Sequence, residues 1–155
     1  MTRVTPSVAA LALVALGGMV ATTSRAETNG IRFPEGFERG VHYGTVTRGN
    51  IVEELYANRE TVEAVKAGRP IPSGAVLTLV DFRDGRLFRY VVMEKRTGWG
   101  SGRSDANRTG EWEFQWFTPE KTVKSGEDLA RCQSCHNSQA KNDFVWSFDR
   151  LKNAN

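Results

Sequence analysis

Residues 75–95, AVLTLVDFRDGRLFRYVVMEK, decide the fold. Two β-branched and aromatic runs, Ala75 to Phe82 and Leu87 to Lys95, flank Asp84-Gly85, a dipeptide suited to the two positive-φ positions of a tight hairpin turn. The spacing therefore predicts an antiparallel pair. Its side-chain pattern is unusual for a sheet with one wet face. Leu77 and Leu79 point opposite to Val76, Thr78 and Val80, and Tyr90-Val91-Val92-Met93 is apolar on both parities. Such strands are covered on both sides.

Outward from the hairpin, the pattern stays antiparallel. Val41 to Thr47 and Ile51 to Ala57 read as strands around the turn Arg48-Gly49-Asn50. Asn58 is placed to cap a helix from Arg59 to Lys66, which ends at Ala67-Gly68 ahead of Pro70 and Pro72. Thr97 to Gly110 reads as a loop. Glu111 to Phe117 then alternates polar and aromatic, which predicts a half-buried strand with Trp112, Phe114 and Trp116 on one face. Ser125 is placed to cap a second helix from Gly126 to about Asn137, with Glu127 and Asp128 in its first turn. A last apolar segment runs from Phe144 to Phe148. The expected class is α+β, an antiparallel β-sheet flanked by short α-helices, in one domain over residues 27–155. Two short helices are too few to cover both faces of such a sheet, so something else is expected to cover the second.

The first 26 residues read as a leader. Arg3 precedes an apolar run from Val8 to Ala21, and Ser24 and Ala26 are small residues at the two positions a signal peptidase reads. The run is short of the ~20 residues that span a bilayer, and Gly17-Gly18 weakens it as a helix. Cleavage after Ala26 and export to an oxidising compartment, a bacterial periplasm, are the expectation. The chain has 155 residues, 39% hydrophobic, and carries 21 basic and 18 acidic residues. Arg3 and Arg25 leave with the leader, which holds no acid, so the remainder is close to neutral. Its basic residues are interleaved with acids, and nucleic acid drops out as a partner. Eight Phe, four Trp and three Tyr suffice for a core, which excludes general disorder.

The chain has only two cysteines and two histidines, and Cys132-Gln133-Ser134-Cys135-His136 takes both cysteines and one histidine. This CxxCH spacing is that of covalent haem c attachment. On one helical turn the two thiols reach the two vinyl groups on one porphyrin edge, and His136 supplies an axial imidazole to iron. Three other readings compete with it. A CxxC redox pair belongs at a strand-to-helix junction rather than near the C-terminus of an antiparallel chain. A zinc site needs Cys132, Cys135, His136 and His42, with adjacent residues on one ion. A plain disulfide is strained and leaves His136 without a role. The sixth iron position separates electron transfer from ligand binding, and its candidates are His42 and Met93, the only methionine left once the leader is removed.

The order of elements resembles the cytochrome P-460 family, which includes the cytochromes c′-beta. The resemblance rests on Phe33-Pro34-Glu35-Gly36-Phe37, Tyr56-Ala57-Asn58, Gly68 to Val76 (GRPIPSGAV), Gly110-Glu111-Trp112, the CxxCH, and Asn142 to Phe148 (NDFVWSF). It spans about Phe33 to Phe148. It implies one covalent haem c on Cys132 and Cys135, His136 as proximal ligand, a largely five-coordinate iron and a homodimer. Two chemistries occur in the family: hydroxylamine oxidation by haem cross-linked to a lysine, and binding of nitric oxide or carbon monoxide in an apolar pocket capped by phenylalanine. Aligned on Gly74-Ala75-Val76, the cross-linking position falls on Leu79, and the nearest lysines are Lys66 and Lys95. The same alignment brings Glu53 near a position where the hydroxylamine enzymes carry arginine; there it would handle protons. Phe82, Phe88 or Tyr43 is expected to cap the distal face. The leading expectation is a periplasmic gas-binding haem c protein. The alternatives are a P-460-type oxidoreductase acting on a small nitrogen compound, and an electron-transfer cytochrome with a redox partner protein. A buried haem would also cover the second face of the sheet.

Overall fold

The computed structural model describes residues 30–155, so the leader assigned to residues 1–26 lies outside the described residues. Five strands, β1 (Val41–Arg48), β2 (Ile51–Ala57), β3 (Val76–Arg83), β4 (Arg86–Lys95) and β5 (Trp112–Phe117), form one sheet in chain order. Every neighbouring pair is antiparallel. Three short helices accompany them: α1 (Arg59–Lys66), α2 (Ala130–Asn137) and α3 (Phe148–Lys152). The architecture is α+β, as the alternation and turn chemistry predict.

The central hairpin closes at Asp84 (φ 50°) and Gly85 (φ 72°), the paired left-handed geometry that matches strand twist. Asn50, from the β1–β2 turn, donates its side-chain amide to Asp84 Oδ1 at 2.8 Å, which ties the two turns together. Helix α1 has the predicted bounds, but Asn58 makes no side-chain hydrogen bond to the helix backbone. Its Oδ1 instead accepts from the Val76 amide at 2.9 Å and the Thr61 hydroxyl at 2.5 Å, pinning the helix start to β3.

Register puts Ala57, Leu77, Met93 and Phe114 in one cross-strand row and Leu55, Leu79, Val91 and Trp116 in the next, on the same face. Helices α1 and α3 cover the first row, through Val62, Val65 and the fully buried Leu151. On the opposite face Val80, Tyr90, Val92 and Phe117 are buried against Ile31, with Phe33 and Phe37 packed over them. Phe33 meets Phe37, Tyr90 and Phe117 edge-on at centroid distances of 5.0–6.0 Å. The chain's own residues 31–37 therefore close this second face, where a haem was expected. They were missed because a non-repetitive segment carries no periodicity to read.

Three further expectations need correction. β5 is not half-buried: Glu113, Gln115 and Phe117 are as inaccessible as Trp112 and Phe114. The second helix begins at Ala130 rather than Gly126, because Gly126 takes φ 76°, outside helical geometry. Asp128 rather than Ser125 accepts at its start, from the Ala130 amide at 3.1 Å. The apolar segment Phe144 to Phe148 leads into α3, a helix too short to leave a pattern.

Candidate functional site

Helix α2 lies against the β5 edge and carries the CxxCH. Gln133, between the cysteines and 2% exposed, donates its amide to Glu113 Oε2 at 3.3 Å. Glu113 in turn accepts from Arg103 at 2.6 Å. This anchor fixes the helix's rotation. Cys132, Cys135 and His136 recur at i, i+3 and i+4 and so share one face, which lines a cavity of about 690 Å³. Both thiols are free; Cys132 is half-buried and Cys135 exposed. Burial pushes the Cys132 thiol above its ordinary range.

The His136 ring packs 4.8 Å from that of Phe114. Its Nδ1 lies 2.7 Å from the Phe144 carbonyl oxygen. A carbonyl only accepts, so Nδ1 carries the proton and Nε2 keeps its lone pair for a metal. Burial lowers the His136 pKa, partly offset by this bond, so the ring is held neutral. The carbonyl is delivered by an uncommon turn: Asp143 and Phe144 both take positive φ, 51° and 63°. For residues other than glycine that conformation costs roughly 1–2 kcal/mol each.

The cavity's floor is the row Leu79, Val91 and Trp116, half-buried across β3, β4 and β5. Directly behind them Val80 and Val92 are 5% and 0% exposed. Arg48, Arg83, Arg89 and Arg131 also line the cavity, with Glu53, Glu127 and Asp128 as the acids. Arg89 lies 3.7 Å over the Trp116 ring and donates to the buried Asp81 at 2.8 Å. On this wall the buried Arg83 Nε has no partner among the described residues, and the buried Trp116 Nε1 has only the Cys132 thiol, a weak acceptor, beside it.

Residues 34–147 match the protein family described as Cytochrome P460. The chain belongs to the cytochrome P460 family. It is thus a haem-binding cytochrome. Among curated proteins, none matches it.

The residues of this cytochrome fit the haem group. A flat apolar macrocycle suits an uncovered apolar row across β3, β4 and β5, and a neutral imidazole with a free Nε2 suits iron. Two carboxylates suit a wall of arginines and an orphaned donor, since a buried donor left unmatched costs about 1–3 kcal/mol. All five residues singled out from the sequence, Cys132, Cys135, His136, Leu79 and Glu53, line the same cavity.

Other candidates sit elsewhere. His42 lies exposed on the opposite face, its ring 5.0 Å from Tyr56 and its Nε2 3.3 Å from the Thr45 hydroxyl, so this cytochrome cannot use it as a sixth ligand. A zinc site that recruits His42 fails for the same reason. Met93 is 6% exposed in the core, and its cross-strand neighbour Phe114 is the residue that meets His136. It lines, with Leu79 and His136, the smaller cavity that adjoins the first. Phe82 packs on the far face, and Phe88 is 45% exposed beneath Arg83, so neither caps the cavity. Tyr43 does line an adjoining cavity of about 240 Å³, which also touches Glu53, Leu79, His136, Ser147 and Arg150. Its hydroxyl lies 3.0 Å from that of Ser147, and burial pushes its pKa up to about 12.

The arginine wall leaves no local pattern to read, because its members come from β1, β3, β4 and α2. The one available signal was Arg83 and Arg89 bracketing the central turn. Trp146, 57% exposed at the cavity's edge, was read only as part of an apolar tail.

Proposed function

We propose that this cytochrome is an exported protein of the c′-beta kind, one domain from residue 27 onward, acting in the periplasm as a homodimer. Haem c is attached through Cys132 and Cys135, and His136 ligates iron. The open side takes nitric oxide, carbon monoxide or a similar small neutral ligand. When bound, the haem supplies the iron that such a ligand binds. The residues around it orient and shield. The Phe144 carbonyl fixes the His136 tautomer. Leu79, Val91 and Leu55 give the cavity an apolar wall that offers no proton.

Leu79 is the observation that carries this reading. It faces the cavity from the strand position where the hydroxylamine enzymes of the family carry their cross-linking lysine. A leucine side chain has no nitrogen with which to bond a porphyrin carbon. Lys95, the nearest lysine on the sheet, is held by Asp143 and the Ile71 carbonyl at 2.6 and 3.1 Å.

A second reading has its own support. Glu53, Tyr43, Ser147 and Arg150 give one end of the smaller cavity hydrogen-bonding groups, which favours a polar nitrogen compound such as hydroxylamine over a neutral gas. Glu53 is 13% exposed and paired with Arg48 at 2.7 Å, which places a carboxylate on the cavity wall.

Intact mass and peptide mapping, joined to ferrous spectra with and without nitric oxide, test the two. Haem held only through Cys132 and Cys135, with a five-coordinate ferrous spectrum that changes on adding nitric oxide, supports the gas-binding reading. A third covalent link to the haem, with turnover of hydroxylamine, overturns it.

A further inference from the structure

We propose that Lys95 is a positioning residue for His136, acting through Asp143 and the backbone of Phe144. The inference rests on the reading of His136 as the iron ligand.

The argument starts from the bond between His136 Nδ1 and the Phe144 carbonyl, 2.7 Å long. An imidazole whose Nδ1–H is held by an acceptor is a stronger electron donor through Nε2, and its ring orientation is set by that acceptor. The acceptor's position is therefore part of the metal site. Here it belongs to a residue in an unfavourable conformation. Aspartate tolerates left-handed geometry better than most residues, but phenylalanine has no such allowance at φ 63°. Such a turn persists only where its surroundings over-determine it.

Three contacts do so. The Phe144 amide donates to the Gln139 carbonyl at 2.8 Å, which closes the turn from within. The Phe144 ring packs onto Gly110, where an added Cβ would come within 2.8 Å of it. From outside, Lys95 Nζ reaches Asp143 Oδ2 at 2.6 Å, with side chains 16% and 29% exposed, and the Ile71 carbonyl at 3.1 Å. Lys95 is the last residue of β4, so this ion pair fastens the turn to the rigid sheet. It is the one charged contact between the turn and the sheet among the described residues. Lys141 lines the same surface depression as Lys95 and Asp143 but forms no ion pair among the described residues. That makes Lys141 a natural control for charge alone.

The test uses the haem-loaded protein and two readouts that a general loss of stability does not move: the ferrous iron–imidazole stretching frequency and the reduction potential. In Lys95→Met the frequency is expected to fall and the potential to rise, because the carbonyl is released and the imidazole donates less strongly. Lys95→Arg, which keeps the ion pair, is expected to restore both most of the way. Lys141→Met is expected to leave both unchanged. An unchanged frequency in Lys95→Met, or an equal shift in Lys141→Met, overturns the proposal. If Lys95→Met does not accumulate, Asp143→Asn keeps the tolerance for positive φ, removes the charge, and carries the same expectations. A wild-type ferrous protein with no iron–imidazole band overturns the ligand assignment instead, so the two failures are told apart.

Discussion

The two faces of the sheet are built from the same strands and end in opposite conditions. On the face covered by residues 31–37, aromatic rings meet edge-on and the buried residues form a closed apolar cluster. On the other, α1 and α3 cover one half and stop, leaving Leu79, Val91 and Trp116 half-buried beside α2. Among the described residues, the buried side-chain polar atoms with no partner at ordinary hydrogen-bond geometry are Asp81 Oδ1, Arg83 Nε, Trp112 Nε1 and Trp116 Nε1. Each belongs to a residue whose strand parity faces the cavity side. A protein completes the surface it covers itself. The unfinished face marks where another group completes it.

The largest effect expected from this asymmetry follows replacing the thiols. Cys132→Ser with Cys135→Ser removes all haem that resists acidified organic extraction, read by the pyridine haemochrome spectrum. Haem surviving extraction at wild-type levels would break the assignment of the cavity face. Next comes the closed face. Phe117→Ala, at a residue 2% exposed, costs about 3–5 kcal/mol in a denaturant titration, while the haem spectrum of the folded fraction stays that of wild type. A changed spectrum would show that the two faces are not independent.

Tyr43 gives a smaller, pH-dependent effect. Its folded pKa is raised from 10.0 to about 12 by burial, so the folded state keeps a proton that the unfolded state releases. Stability from this group is complete below pH 10 and is lost as pH rises towards 12. The loss is roughly 2–3 kcal/mol. Tyr43→Phe should flatten that alkaline limb, and an identical limb in the variant would rule out Tyr43 as its source. Smallest is Trp116→Phe, which deletes a donor whose one neighbour is the Cys132 thiol. In haem-free protein it should change stability by less than about 1 kcal/mol, because only a weak contact to sulfur is lost. In the haem-loaded protein it should lower stability further, and equal effects in both forms would deny the indole a partner in the cavity.

How far the sequence reached depended on whether a feature was local. Asp84-Gly85 announces its turn, Arg59 to Lys66 announces its helix, and the CxxCH carries its chemistry in five adjacent residues. Leu79 and Glu53 were reachable only through the family resemblance, since nothing in a strand leucine or glutamate advertises a cavity. The arginine wall and the Lys95–Asp143 pair were illegible, because they join residues far apart in the chain. Phe144 is the sharpest case. Its backbone geometry contradicts its residue type and is imposed by Gln139, Gly110 and Lys95, none of which is a sequence neighbour.

The strand order has a consequence in time. Because each strand pairs with the one that precedes it in the chain, every sheet contact closes over a short stretch of sequence. A chain emerging from its N-terminus completes all five strands by residue 117, before the helix bearing the two thiols has appeared. The wall that receives the cofactor is thus assembled first. The thiols arrive last, on a short and partly exposed helix docked at the sheet's final edge.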